Sequence, residues 1–197
     1  MQLVFASANK NKIREINALL PENITVVGLP DIGITEEIPE PGATIKENAF
    51  LKASYVADFL KQKNQSFSVF SDDSGLEVLA LGNAPGVHSA RYAGLPKSDE
   101  ANNKKLLLEL KHRTDRRARF VTMITLIMNG EVHYFEGEIK GTIAYEPRGH
   151  NGFGYDPLFI PQGYRSTFAE LPAETKNAIS HRAVAVSQLL EFLKQLK

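Results

Sequence analysis

The spacing of apolar and polar positions changes repeatedly along this chain, which predicts strands and helices in mixed order. An apolar strand is expected over residues 2–6, followed by a helix with apolar residues three or four positions apart that ends before Pro21. A short strand over 24–27 leads into a Pro- and Gly-rich acidic loop over 30–42. This succession is typical of an α/β protein.

Two local signals predict element boundaries. Thr44 and Glu47 have the spacing of a capping box, so a helix is expected from there to about residue 61. Asn129 and Gly130 separate two β-rich stretches and predict a tight hairpin. Because a hairpin is antiparallel, we expect a mixed β-sheet flanked by helices.

The later part of the chain continues the alternation. A helix is expected around residues 100–111, β-rich strands over 119–128 and 131–143, and a short strand that reaches Ile160. Ser180 is a good N-cap and predicts that the last helix follows it. No repeat, low-complexity tract or linker divides residues 1–197, so the chain is expected to fold as one domain or as two lobes that share a sheet.

The stretch FSDDSGLEV at 70–78 places two adjacent carboxylates where an apolar strand is expected to end. Ser74 and Gly75 are expected to form the turn that ends it. Because adjacent strand residues point to opposite faces, one carboxylate is expected to face a ligand. Asp73, nearer the turn, is the candidate, with Asp72 as its support. A solvated turn is the alternative interpretation.

Composition narrows the possible functions. Of 197 residues, 43% are hydrophobic, and 23 Lys and Arg balance 23 Asp and Glu, which disfavours binding to polynucleotides or to an anionic membrane. Zero cysteines exclude disulfides and thiolate chemistry, so a metal would need oxygen or imidazole ligands, and Mg²⁺ fits best. The chain has no apolar stretch that could span a bilayer and no leader pattern, so a cytoplasmic location is expected.

Two lysines are candidates for binding phosphate. The segment SANKNK at 7–12 occupies a strand-to-helix turn, where free backbone amides and the helix dipole favour an anion. A simple N-cap with a solvated Lys12 is the alternative. Lys52 precedes an inward-facing alanine, so its ammonium is expected in a cleft, or else on a plain surface.

Three later segments carry polar and aromatic groups suited to a nucleotide. GVHSARYAG at 86–94 has the composition of a loop that closes on a ligand, and GFGYDP at 152–157 presents Phe153 between glycines for stacking on a base. His181 and Arg182 are expected in the first turn of the last helix, where cations oppose the helix dipole. Packing in the core or on the surface is the alternative for each segment.

Taken together, SANKNK, ENAFLKA, SDDSGL, GVHSARYAG, GFGYDP and SHR resemble, in order and spacing, the inosine triphosphate pyrophosphatase family. The resemblance covers nearly the whole chain. It implies an elongated mixed sheet, two lobes with a central cleft, and a homodimer. It also implies Mg²⁺-dependent hydrolysis of the non-standard purine nucleoside triphosphates ITP, dITP and XTP to the monophosphate and pyrophosphate.

The resemblance also implies roles for individual residues. Asp73 resembles the metal ligand and proposed base, Glu40 is the candidate second metal ligand, and Asp72 and Lys52 are further catalytic candidates. The residues expected to contact substrate are Ser7, Ala8, Asn9, Lys10, Asn11, Lys12, Ser74, Phe153, Gly154, Tyr155, Asp156, Lys176, His181 and Arg182. Whether Asp72, Asp73 or a metal-bound hydroxide handles the proton stays open from the sequence.

His181 and Arg182 are expected to address the 6-keto oxygen of the base as donors, which would select against adenine. Two other functions remain open from the sequence. One is a pyrophosphatase for modified pyrimidine nucleotides, as in Maf-like proteins, and the other is a nucleotide sensor without turnover.

Overall fold

A computed structural model describes residues 1–65 and 67–196, and the last residue of the predicted single domain, Lys197, lies outside the described part. The strands are β1 (Gln2–Phe5), β2 (Thr25–Val27), β3 (Ser68–Val78), β4 (Arg117–Met128), β5 (Glu131–Ile143) and β6 (Phe159–Pro161). The helices are α1 (Lys10–Leu19), α2 (Ile45–Gln62), α3 (Asp99–Glu109), α4 (Ala173–Ile179) and α5 (His181–Gln195).

The strands form one mixed sheet in the order β2-β1-β3-β4-β5-β6. Strand β1 is parallel to both β2 and β3, whereas β6 is antiparallel to β5. Asn129 and Gly130 join β4 to β5, with φ values of 53° and 82°, as a tight two-residue turn requires. The predicted α/β class, mixed sheet and hairpin are confirmed.

The predicted start of α2 is also confirmed. The Thr44 hydroxyl accepts a hydrogen bond from the Glu47 N–H at 3.1 Å, and the Glu47 carboxylate accepts one from the Thr44 N–H at 3.2 Å. These reciprocal bonds satisfy two backbone donors that the first helical turn would otherwise leave free. Helix α4 has no side-chain cap, and the sequence pattern did not predict it.

One predicted boundary is wrong. Ser74 and Gly75 do not end the strand, because β3 continues without a break to Val78. The two aspartates therefore lie within the strand rather than at its end. Charged residues are tolerated there because neighbouring cations pair with both of them.

The chain folds into two compact units. The first comprises residues 1–73, 122–137 and 182–197. Phe5 and Phe70 stack at 4.6 Å within a core that includes α5. Val4 and Val69, the preceding residues in the same strands, belong to a second core with α2. Since strand residues alternate between faces, this unit buries both faces of its sheet.

The second unit comprises residues 74–121 and 138–181. Its core joins Leu76 of β3 and Leu106 of α3 to a group of aromatic rings. Phe120 and Phe159 lie 4.7 Å apart, and Phe168 packs against both. No helix in the described ranges has the length and hydropathy needed to cross a membrane.

Candidate functional site

Asp72 is a fully buried carboxylate (0% exposed) between two cations. It contacts Lys12 Nζ at 3.1 Å and Arg182 Nε at 3.1 Å. Arg182 is itself buried (1% exposed) and also donates to Glu15. Burial alone would raise the pKa of Asp72, but Lys12 and Arg182 hold it well below its usual range. Asp72 is therefore a fixed negative charge at neutral pH.

Helices α1 and α5 supply the partners of Asp72. Lys12 and Glu15 lie three residues apart in α1 and therefore share a face of that helix. Arg182 is the second residue of α5, where a cation opposes the helix dipole. The two carboxylates that it contacts offset this unfavourable position. Burial lowers the pKa of Lys12, and Asp72 only partly opposes that effect.

Asp73 belongs to a second ionic group in the same unit. Lys52 Nζ lies 2.5 Å from Glu40 Oε1 and 3.2 Å from Asp73 Oδ1. Lys52 is 6% exposed, so its ammonium does not lie on a plain surface. Burial would lower the pKa of Lys52, but Asp73 and Glu40 outweigh it and raise that pKa. Burial raises the pKa of Asp73, although Lys52 partly opposes it.

The two adjacent aspartates thus have separate sets of partners. Asp72 contacts Lys12 and Arg182, whereas Asp73 contacts Lys52. This is what the alternation of strand side chains predicts. Asp73 is also the more exposed of the two, at 8%. The pKa of Asp72 is therefore lowered by its two cations, whereas burial raises the pKa of Asp73.

The acidic loop before α2 places Glu40 beside Lys52. The Gly42 N–H donates to Asn48 Oδ1 at 2.7 Å, which holds the loop against the first turns of α2. A Cβ at Gly42 would lie 2.8 Å from the Glu47 Cβ, so only glycine permits this approach. Glu40 and Lys52 consequently meet although they are twelve residues apart.

The turn at residues 7–12 differs from expectation. Asn9 caps α1, and its Oδ1 accepts hydrogen bonds from the N–H groups of Asn11 at 3.0 Å and Lys12 at 3.2 Å. Ser7 Oγ accepts the Asn9 N–H at 3.2 Å. The expectation of free backbone amides is therefore wrong for these three residues. Ala8 and Lys10 are exposed.

Glu40 and Asp73 are two neighbouring carboxylates of the kind that binds a divalent cation. Glu40 and Asp73 both contact the Lys52 ammonium, at 2.5 Å and 3.2 Å. The distance between their two contacting oxygens therefore cannot exceed the sum of these two distances. Carboxylate oxygens are hard donors, and Mg²⁺ commonly takes only one or two of them from a protein. No cluster of three or more Asp, Glu or His side chains that could hold a metal is found in residues 1–65 and 67–196. The donor set fits Mg²⁺ that is shared with a phosphate ligand.

In the second unit, Asp156 organises the loop that carries Phe153. Its Oδ2 accepts hydrogen bonds from the Phe153 N–H at 2.9 Å and from Lys176 Nζ at 2.5 Å. Lys176 Nζ also lies 4.9 Å from the centroid of the Phe153 ring, a cation–π distance. Phe153 is half-buried. The expected base-side residues Phe153, Asp156 and Lys176 are therefore in mutual contact.

Tyr155 and His181 are more deeply packed than an open base-binding wall requires. The Tyr155 hydroxyl donates to the Ser89 carbonyl at 2.9 Å, and burial raises the pKa of Tyr155. The buried His181 ring stacks on Phe120 at 4.7 Å. Ser74, in β3, is half-buried.

The structure gives neighbouring His181 and Arg182 different surroundings. His181 packs on an aromatic ring, whereas the Arg182 guanidinium contacts Asp72 and Glu15. Glu15 was not among the residues selected from the sequence. Glu15 lies three residues after Lys12, on the same face of α1, and this spacing in the sequence could have indicated it.

Two residues of α3 that hydrogen-bond to the Phe153 loop were also not predicted from the sequence. Gly154 N–H donates to Asp99 Oδ2 at 2.7 Å, and Gly154 O accepts from Asn103 Nδ2 at 2.9 Å. These contacts join positions more than fifty residues apart. No spacing within the sequence indicates such contacts.

The chain is similar over most of its length to a known protein family and to named proteins. The model of the Ham1 family matches residues 3–192. A protein of Flavobacterium johnsoniae named dITP/XTP pyrophosphatase is 50% identical over 197 residues, covering 100% of each chain. A Porphyromonas gingivalis protein of the same name is 51% identical and covers 98% of this chain and 97% of its own.

Solved structures give the same result. The Ham1 protein of Staphylococcus aureus is 42% identical, with a TM-score of 0.89 and 100% of each chain covered. A structure from Mycobacterium abscessus, titled nucleoside-triphosphatase / dITP/XTP pyrophosphatase, is 41% identical, with a TM-score of 0.76. It covers 96% of this chain and 99% of its own. The resemblance found in the sequence motifs is confirmed.

Proposed function

Because this chain belongs to the Ham1 family, we propose that it hydrolyses the non-standard purine nucleoside triphosphates ITP, dITP and XTP to the monophosphate and pyrophosphate. The observation that carries the proposal is that Lys12, Lys52, Asp72 and Asp73 all lie in two buried ionic groups of one unit. Similarity over the whole chain to proteins named dITP/XTP pyrophosphatase supports the substrate class.

In the proposed reaction, a water oxygen bonds to the α-phosphorus, and the bond from that phosphorus to the bridging oxygen breaks. Pyrophosphate leaves with the bond electrons, and Lys12 and Lys52 offset its charge. The water proton is assigned to Asp73 because it is the more exposed carboxylate, whereas Asp72 is fully buried between Lys12 and Arg182. Asp72 instead holds Lys12 and Arg182 in place.

We propose Mg²⁺ as the cofactor, held by Asp73 and Glu40 together with substrate phosphate oxygens. When bound, the ion would neutralise phosphate charge and help to orient the reacting groups. The support is the donor set, in which two carboxylates already lie close enough to share one cation. Lys52 supplies that positive charge in this structure.

For base recognition we propose Phe153 as the stacking surface, with Lys176 and His181 as polar contacts. The contacts of Arg182 with Asp72 and Glu15 favour a role beside the carboxylates instead of a contact with the base. A 6-keto oxygen accepts hydrogen bonds, whereas the 6-amino group of adenine donates them. A protein donor placed opposite the 6-position of the base would reject ATP, because that donor and the 6-amino group of adenine would face each other.

The family resemblance also leads us to propose a homodimer that acts on the cytoplasmic nucleotide pool. Sedimentation equilibrium of the purified protein should give a mass near twice the 21.8 kDa of the chain. A mass of one chain at working concentration would contradict the dimer and leave the proposed reaction unaffected.

The experiment that tests the function is a substrate panel. Purified protein is incubated with ITP, XTP, dITP, GTP, ATP and dTTP, with and without Mg²⁺, and pyrophosphate is measured separately from orthophosphate. We expect Mg²⁺-dependent release of pyrophosphate, fastest from ITP, dITP and XTP. Orthophosphate as the first product would move the attack away from the α-phosphorus. Preference for modified pyrimidine nucleotides, or tight binding without any product, would replace this proposal with one of the two alternatives.

A further inference from the structure

Helix α3 holds the peptide that follows Phe153 from both sides. The Gly154 N–H donates to Asp99 Oδ2 at 2.7 Å, and the Gly154 carbonyl accepts from Asn103 Nδ2 at 2.9 Å. Asp99 and Asn103 are four residues apart, so their side chains lie on one face of α3, one turn apart. Both polar groups of one loop residue are therefore bound to one rigid element.

The N-terminal cap of helix α3 does not depend on Asp99 or Asn103. Ser98 already caps it, accepting a hydrogen bond from the Ala101 N–H at 3.2 Å. Asparagine inside a helix is a poor helix former, and burying its amide is unfavourable unless the amide is hydrogen-bonded. Asn103 is nevertheless only 8% exposed. Its bond to the Gly154 carbonyl gives the buried amide nitrogen a partner.

The loop adopts a backbone conformation that benefits from such support. Gly152 and Gly154, on either side of Phe153, have φ values of 79° and 62°. Glycine enters this left-handed region at little energetic cost, but it is also free to leave it. The bonds from α3 fix the conformation after Phe153, and the bond from the Phe153 N–H to Asp156 fixes it before the ring.

We propose that Asp99 and Asn103 are positioning residues for base recognition. They hold the Gly154 peptide, and through it they orient the Phe153 ring beside Lys176. A stacking surface that is already oriented binds a base without losing conformational entropy on binding. This inference rests on the proposed function, in which Phe153 stacks on the purine.

Asp99→Ala provides the main test, with Glu100→Ala as the matched control. Both residues are acidic, exposed and in the first turn of α3, so both variants lose the same favourable interaction with the helix dipole. Of the two, Asp99 is the residue that accepts the Gly154 N–H. Asp99→Asn keeps an oxygen acceptor for that N–H and serves as the conservative variant.

The readout compares a ligand that has a base with one that has none. We expect Asp99→Ala to raise the KM for ITP about tenfold, as loss of a hydrogen bond to a charged group allows, with kcat changed less. Inhibition by tripolyphosphate, which has no base, should stay at the wild-type value. Glu100→Ala should match the wild type, and Asp99→Asn should recover most of the affinity. Asn103→Ala should reproduce the selective effect of Asp99→Ala.

A second readout measures the loop without catalysis. The chain contains no tryptophan, so Phe153→Trp creates a single fluorescent reporter on the loop. In this background we expect Asp99→Ala to increase quenching by acrylamide, whereas Glu100→Ala leaves quenching unchanged.

The outcomes separate this inference from the proposed function. If the wild type hydrolyses ITP but Asp99→Ala behaves like Glu100→Ala in both readouts, the positioning role is wrong. Equal weakening of ITP and tripolyphosphate by Asp99→Ala would also overturn it, because the effect would not be specific to the base. A wild type that releases no pyrophosphate from any nucleotide would instead overturn the proposed function.

Discussion

The same substitution at two adjacent positions should have opposite consequences. Asp72→Asn removes the charge that pairs with Lys12 and Arg182, leaving two buried cations with Glu15 as their remaining carboxylate in this group. Asp73→Asn leaves Lys52 paired with Glu40 at 2.5 Å. We therefore expect Asp72→Asn to lose stability and Asp73→Asn to lose activity.

The magnitudes follow from burial and pairing. Breaking a buried ion pair from one side costs about 3–5 kcal/mol, and a urea dependence of about 2 kcal/mol per molar converts this to a midpoint lower by about 2 M. Burial raises the pKa of Asp73, so its ionised form is disfavoured in the folded state, and an uncharged amide removes that cost. Asp73→Asn should unfold close to the wild-type midpoint while losing about 10²–10⁴-fold in kcat, the range of general base catalysis.

The assay combines urea unfolding, followed by circular dichroism in metal-free buffer, with pyrophosphate release. The pH dependence of the free energy of unfolding checks whether the Asp72 carboxylate is stabilising. Because folding lowers the pKa of Asp72, the ionised carboxylate stabilises the folded state fully at pH values above 3.8, the ordinary pKa of Asp. This stabilisation decreases as the pH falls below 3.8. The stability gap between wild type and Asp72→Asn should therefore narrow below about pH 4. Equal midpoints for the two variants, or substantial turnover by folded Asp73→Asn, would refute this reasoning.

Two further predictions concern Lys52 and the loop glycine. Lys52→Met removes a cation that lowers the pKa of Asp73. The acid limb of the profile of kcat/KM against pH should therefore move to higher pH. An acid limb at the wild-type pH would contradict the Lys52–Asp73 pairing. Gly152→Ala should raise the KM for ITP because a Cβ there would overlap the Asp156 carboxylate. Gly163→Ala, at a similar positive φ of 87° and with no atom within 4 Å, should leave this KM unchanged. Equal KM values for the two variants would contradict the role of the overlap.

Local sequence signals predicted elements well where the responsible interactions are local. The Thr44–Glu47 capping box and the Asn129-Gly130 hairpin involve residues at most three apart, so the pattern contains all of the interacting groups. The end of β3 was predicted wrongly for the opposite reason. Ser74 and Gly75 have turn propensity, but the ladder and core around them decide that the strand continues.

The candidate site shows the same division. Residue types and order in the chain were enough to select Asp72, Asp73, Lys12 and Lys52 as a chemical group. They could not assign the pairs, because Lys12 and Asp72 are sixty residues apart and their contact depends on how α1 packs beside β3. The free amides expected at the start of α1 are a different case, because the interaction there is local: the Asn9 side chain bonds to two of them, as in the N-cap alternative that the sequence left open.

By itself, the sequence determined the α/β class, the hairpin, the main helices and, through ordered motifs, the family. Those features depend on hydrophobic periodicity and on residue types at fixed spacing. Only the tertiary structure decided which carboxylate is held ionised and which has a raised pKa. It also decided that Arg182 contacts Asp72 and that α3 holds the Phe153 loop. The physical reason is that burial and charge pairing depend on distances between residues remote in the chain, and these distances exist only once the chain has folded.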